Sequence, residues 1–212
     1  MKPLNDYSWV RGVNYYQCGE EQLRRELGYG KRVNLNAVRI WLDRNWYERN
    51  PEKYLENLVN YVRICYDCGY QVMPILFNGN FLNPETLTEA YYERNDVYAR
   101  AVVNALKDEP GLLIWDIMNE PACNGWTYAN DISAEEKASR YELLWNFLRR
   151  YSAFVKEVDP VNATTTGHTN AWEIEPMDNG SLFCVQKFQG ISLTCDKVHQ
   201  HIGAHDGNVF FF

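Results

Sequence analysis

Apolar positions along this chain fall into two alternating kinds of segment. Residues 9–15, 36–42, 71–77, 112–118 and 163–169 are short, β-prone runs, and each is predicted to be a strand. Between them, residues 18–27, 51–69, 96–107 and 131–157 carry apolar side chains at helical spacing, and each is predicted to be a helix. In the second of these, Tyr54, Leu55, Leu58, Val59, Val62 and Cys65 line one face and Gly69 supplies a C-terminal stop. In the last, Ser133 is the expected N-cap with Glu136 three residues on, and Asp159-Pro160 ends the helix.

Strand and helix in strict alternation argue for βαβ crossovers and a parallel sheet. The chain has no Gly-x-Gly-x-x-Gly turn and no Gly-Lys-Ser/Thr phosphate loop, so a nucleotide-binding doubly wound sheet lacks its chemistry. The expected fold class is α/β, of the (β/α)8 barrel type, as one domain recognisable over residues 8–172. Eight strand-helix units need about 250 residues. Five units and an irregular tail at residues 180–212 are therefore expected to make an incomplete barrel, with the reading frame truncated or shifted near residue 180.

Composition narrows the function. A net charge of −7 with no Lys/Arg run disfavours nucleic acid or an anionic membrane as partner. Residues 1–7 hold no apolar signal region and no stretch reaches transmembrane length, so a cytoplasmic location is expected for the chain as written. The six cysteines are too dispersed for a disulfide scaffold, and Cys65-x-x-Cys68 lies in a helical pattern, where structural thiols are expected. Asn162-Ala-Thr164 matches a glycosylation sequon, which matters only under secretion. Seven Trp and fifteen Tyr serve either a large aromatic core or a cleft whose rings lie against sugars.

The candidate chemistry sits where strands end, since barrel sites gather there. The run from Leu112 stops at Asn119-Glu120-Pro121, and a carboxylate at the exit of a buried strand is placed to act on a ligand. Other predicted strand ends carry Asn14, Tyr15, Arg39, Trp41, Asp43, Asn78 and His168. Polar and aromatic groups around one carboxylate suit glycoside hydrolysis, in which an acid protonates the leaving oxygen. Glu120 is the expected acid, Asn119 a hydrogen-bond partner for an adjacent sugar hydroxyl, and Arg39 a clamp on a carboxylate.

Arg11-Gly-Val-Asn-Tyr15, Ala37-Val-Arg-Ile-Trp41, Trp115-Asp-Ile-Met-Asn-Glu-Pro121 and Thr166-Gly-His-Thr169 resemble the first, second, fourth and fifth strands of clan A glycoside hydrolases, near families 2 and 5. The resemblance implies a retaining mechanism on β-linked oligo- or polysaccharides without a metal or other cofactor. It implies Glu120 as general acid/base, with Asn119 and Arg39 matching the family's asparagine and strand-two arginine; Asn14, Trp41 and His168 at strand ends and the aromatic Trp172 are further expected substrate-binding residues. It also implies a nucleophilic glutamate at the end of strand seven. The last glutamates here, Glu173 and Glu175, follow the fifth predicted strand, so the chain is expected to lack the nucleophile.

Two rivals follow. His199, His201, His205 and Asp206 carry zinc-ligating groups, in a tail of poor pattern where a solvated segment is the plainer expectation. A non-catalytic carbohydrate-binding remnant would keep Trp41, Trp46, Trp126 and Trp172 as stacking surfaces. A partial barrel also leaves sheet edges open, so self-association is expected.

Overall fold

The structure, a computed structural model, describes residues 14–167. In chain order its elements are α1 (Asn14–Lys31), β1 (Ala37–Trp41), α2 (Arg44–Arg49), α3 (Pro51–Asp67), β2 (Gln71–Asn78), a 3-10 turn (Gly79–Phe81), α4 (Glu89–Leu106), β3 (Trp115–Asn119), α5 (Ala134–Val158) and β4 (Thr164–Gly167). All strand pairs are parallel, in the spatial order β1-β2-β3-β4. A doubly wound sheet reverses its order at a switch point. Here each strand lies beside its neighbour in sequence, which is how the wall of a (β/α)8 barrel is laid down.

Continuous apolar runs form this wall because both of its faces are covered. β2 is buried from Val72 to Phe77, and every residue of β3 is buried. The helices start and stop where the sequence supplies caps. Asn50 accepts from the Lys53 amide with Pro51 in the first turn of α3, and Gly69 follows its end at φ +77°, a conformation that suits glycine. The Ser133 hydroxyl accepts from the Glu136 amide at 3.1 Å. The Glu136 carboxylate accepts from Arg140 at 2.8 Å, so the pair makes a cap in which the glutamate faces along its own helix.

The loop from α5 into β4 is tied to the foot of β3. Asp159 accepts from the Val161 and Asn162 amides through one oxygen and from the Trp115 indole, at 2.7 Å, through the other. Burial works against the charge on Asp159, but the Asn162 amide, the Trp115 indole and their neighbours hold its carboxyl below the usual range. The Asn162 side-chain amide donates to Lys107 and Asp159, so the sequon asparagine is spent on packing.

Much of the aromatic content is core. Trp115, Tyr54, Tyr61, Tyr70, Tyr98, Tyr151 and Phe147 are among the largest fully buried side chains. Phe77 of β2 meets Phe147 of α5 edge-on at 5.3 Å between ring centroids and Tyr98 of α4 at 6.1 Å, geometries that aromatic quadrupoles favour. Cys65 is a buried free thiol pushed up to about 12, chiefly by desolvation, which fits a structural and not a redox role.

Several sequence expectations are corrected. Asn14 and Tyr15 begin α1 instead of ending a strand, and the rest of the expected first strand lies outside the described residues. α1 also runs further than 18–27 at both ends. α2 went unread because six residues starting at Arg44 show no apolar stripe. α4 begins at Glu89, capped by Thr88, about two turns before the apolar spacing becomes visible at residue 96. β3 starts at Trp115; Leu112 makes only an isolated bridge to Val72. No helix among the described residues is long and apolar enough to cross a membrane.

Candidate active site

Parallel register brings the polar groups of three strands to one place. Arg39 of β1 lies opposite Met73 of β2, Ile75 of β2 opposite Asp116 of β3, and Asp116 opposite Thr165 of β4. With side chains alternating along each strand, Arg39 and Asp116 share a face, separated by β2. Arg39 is long enough to cross that gap. Its Nε and Nη2 both donate to Asp116 Oδ2, at 2.9 and 2.7 Å, and its Nη1 donates to Asn119 Oδ1 at 3.0 Å. The other Asp116 oxygen, Oδ1, accepts from the Met118 amide at 3.1 Å.

Asp116 is wholly buried, whereas 22% of the Arg39 side chain is exposed. Burial pushes the Asp116 carboxyl up to about 6, against Arg39 and the amides of Met118 and Gly167, which pull it down. Gly167 is glycine for a reason that the site makes plain. A Cβ there would fall 2.3 Å from Arg39 Nη2 and 3.1 Å from Asp116 Oδ2, so any side chain would push the ion pair apart.

Because the Asn119 oxygen is taken by Arg39, its amide nitrogen is turned the other way, 3.5 Å from Glu120 Oε2. Asp116, Arg39, Asn119 and Glu120 thus form one continuous polar chain that runs from the interior of the sheet to the end of β3. Glu120 itself is half-buried, at φ +44°, a region that a non-glycine residue before proline seldom occupies. The surroundings hold it there. Its amide donates to Gly167 O at 2.8 Å and its carbonyl accepts from Cys123 at 3.0 Å. At the end of β2, Gly79 lies so close that a Cβ would fall 2.2 Å from Glu120 O.

The turn beyond is stapled by Asn124, which donates to Pro121 O at 3.2 Å and accepts from the amides of Trp126 and Thr127, both at 3.0 Å. A carboxylate on a strained, over-determined backbone at a strand exit is held in one place.

Among the residues expected at the site, Arg39, Asn119 and Glu120 are brought together, and Trp41 ends β1 on the Arg39 face. Asn14 is in α1. His168 and Trp172 lie outside the described residues, as do His199, His201, His205, Asp206, Glu173 and Glu175. Of the proposed stacking surfaces, Trp46 packs against the core with the Arg49 guanidinium 4.5 Å from its ring centroid, and Trp126 has Arg140 at 5.8 Å. Among the described residues no group of three or more His, Cys, Asp and Glu side chains is placed to hold a metal ion. Asp116 was missed. The signal was a lone aspartate inside an apolar strand, a position that demands a partner, but the partner is two strands away.

Comparison with known proteins identifies the family and the fold. A family model described as "Cellulase (glycosyl hydrolase family 5)" matches residues 27–176. A probable mannan endo-1,4-β-mannosidase A-2 from Aspergillus terreus is 30% identical over 104 residues, covering 49% of this chain and 22% of that protein. The β-mannanase of the blue mussel Mytilus edulis superposes with a TM-score of 0.58 at 21% identity, over 78% of this chain and 56% of that one. A β-1,4-mannanase from the sea hare Aplysia kurodai gives 0.59 at 19% identity, over 79% and 58%. The chain thus spans about a fifth of the length of the curated relative and just over half of each solved chain.

Proposed function

The chain belongs to glycosyl hydrolase family 5, and from that premise we propose that it contributes a retaining glycosidase site for β-linked polysaccharide, with Glu120 as general acid/base. The observation that carries this is the fixed polar chain from Asp116 through Arg39 and Asn119 to a carboxylate at the exit of β3. β-1,4-Mannan is the favoured substrate class, since the curated relative and the solved structures above are named for mannan or its mannanases.

In the first step the Glu120 carboxylic acid gives its proton to the glycosidic oxygen as a second carboxylate attacks the anomeric carbon, so the leaving sugar departs as an alcohol. In the second, the Glu120 carboxylate takes a proton from water, which displaces the enzyme carboxylate and restores the starting state. The Asn119 amide nitrogen, turned toward Glu120 while Arg39 holds its oxygen, would donate to a sugar hydroxyl beside the reacting carbon. The attacking carboxylate would have to stand about 5–5.5 Å from Glu120. The resemblance puts that carboxylate at the end of strand seven, whereas Glu173 and Glu175 follow the fifth predicted strand, so testing them also tests the reading that the chain lacks the nucleophile.

Purified protein assayed on aryl β-glycosides, soluble β-glucans and β-mannans, beside Glu120→Gln, tests the proposal. Loss of two or more orders of magnitude in Glu120→Gln is expected for a removed acid/base, with mannan turned over best. Equal activity in the two proteins would remove Glu120 from the mechanism. Glu173→Gln and Glu175→Gln in the same assay find the nucleophile, if either serves. Saccharide binding without turnover in every protein would favour the carbohydrate-binding remnant.

A further inference from the structure

Asp116 does not meet solvent and so cannot touch a saccharide, yet both of its oxygens are engaged. Oδ2 takes two hydrogen bonds from Arg39 and Oδ1 takes the Met118 amide. We propose that Asp116 is a positioning residue for the acid/base, acting through Arg39 on Asn119, a role that rests on the glycosidase reading of Glu120. Arg39 reaches two residues at once, and its orientation is set at the buried end. With Nε and Nη2 both anchored on one carboxylate oxygen, the planar guanidinium has no freedom to swing, and Nη1 is left pointing at Asn119 Oδ1.

That bond decides which way the Asn119 amide faces. Reversed, it would set an NH2 group against a guanidinium N–H and turn its oxygen toward the Glu120 carboxylate. Anchoring on Asp116 therefore fixes a hydrogen-bond donor beside Glu120. The neighbours are arranged to preserve the anchor, since only glycine at position 167 leaves room for it.

An asparagine at position 116 cannot do the same work. Two oxygens that both accept would become one acceptor and one NH2 group, and the NH2 group would face either Met118 N–H or the guanidinium. Arg39→Lys attacks the same chain from the other end, because one ammonium nitrogen cannot bond Asp116 twice and Asn119 as well.

The experiment follows the Asn119 side-chain amide by NMR, its resonance pair assigned by disappearance in Asn119→Asp, in wild-type protein, Asp116→Asn, Arg39→Lys and the double variant. A rigid amide in the wild type is expected, becoming mobile and shifted in each single variant, with the double no worse than either single. Turnover should fall on the order of tenfold to a hundredfold in parallel. An Asn119 amide that stays rigid and unshifted in Asp116→Asn overturns the proposal. Should Asp116→Asn fail to fold, an unchanged amide in Arg39→Lys overturns it equally. Absence of turnover in the wild type, with the amide responding as expected, would overturn the assigned activity alone.

Discussion

Asp116 couples the site to pH through a single proton. An aspartate in an unfolded chain titrates near 3.9, whereas burial raises this one to about 6. The folded state therefore holds the proton more tightly. Its contribution to stability is complete below about pH 4 and is lost as pH climbs through 6. At roughly 1.4 kcal/mol per unit of pKa, the full loss is on the order of 3 kcal/mol, most of it between pH 4 and 7. Asp116→Asn has no proton to lose, so urea unfolding at pH 4 and at pH 7 should show the wild type losing about that much relative to the variant. A difference that is the same at both pH values would refute the assignment. Arg39 from β1 and Glu120 at the end of β3 are the charged groups linked to Asp116 in this cluster. Glu120 and Asn119 could be read from sequence because they end a run of apolar residues, and Arg39, in the middle of β1, because its strand resembles the family's second strand. Asp116 could not be assigned a role, because its meaning depends on a register across three strands.

At the level of elements, the site depends on how closely the exit of β2 approaches the exit of β3. Gly79 touches the backbone of Glu120 and Pro121, where a Cβ would meet Glu120 O at 2.2 Å and Pro121 Cα at 2.8 Å. Backbone atoms cannot move aside as the tip of a side chain can. Gly79→Ala should therefore cost about 1–3 kcal/mol, the usual range for overpacking, and should reduce turnover by displacing Glu120. Gly28→Ala is the control. It sits in α1 with nothing within 4 Å of the added carbon, so it should stabilise by up to about 1 kcal/mol, as alanine does for glycine in a helix. Equal urea midpoints for the two variants would sink the argument. The helices and strands that sequence located well, α3 and α5 above all, have both an apolar period and a cap. Those it mislocated lack one of the two: the first turns of α4 are polar, α2 is too short to show a period, and the residues before β3 are apolar without continuing the strand.

Across the whole molecule, the described sheet carries β1 at one end and β4 at the other, each with a strand on one side only among the described residues. Unpaired strand edges present rows of N–H and C=O groups that pair with any strand available, and a closed barrel is the arrangement that removes them. β1 has little to keep a second chain away. It is short and reads Ala-Val-Arg-Ile-Trp, and its one charge is turned inward to Asp116 instead of guarding the edge. β4 is Thr-Thr-Thr-Gly, with no charge at all. Three threonines in a row suit an extended strand, and the glycine that the ion pair requires adds no bulk to block an incomer. We therefore expect the 212-residue chain to associate through these edges, and light scattering should show a mass that rises with concentration above the 24.9 kDa of one chain. Lys placed in β4 at Thr165, opposite Asp116, would disturb the site, so Thr164→Lys is ruled out by burial and Thr165→Lys by register. The edge change that spares the polar chain is Val38→Lys in β1, half-buried against the core on the face away from Arg39, with its urea midpoint measured beside the scattering. It should lower the association without touching the polar chain. A constant monomer mass in the wild type across the concentration range would show that the edges are already closed.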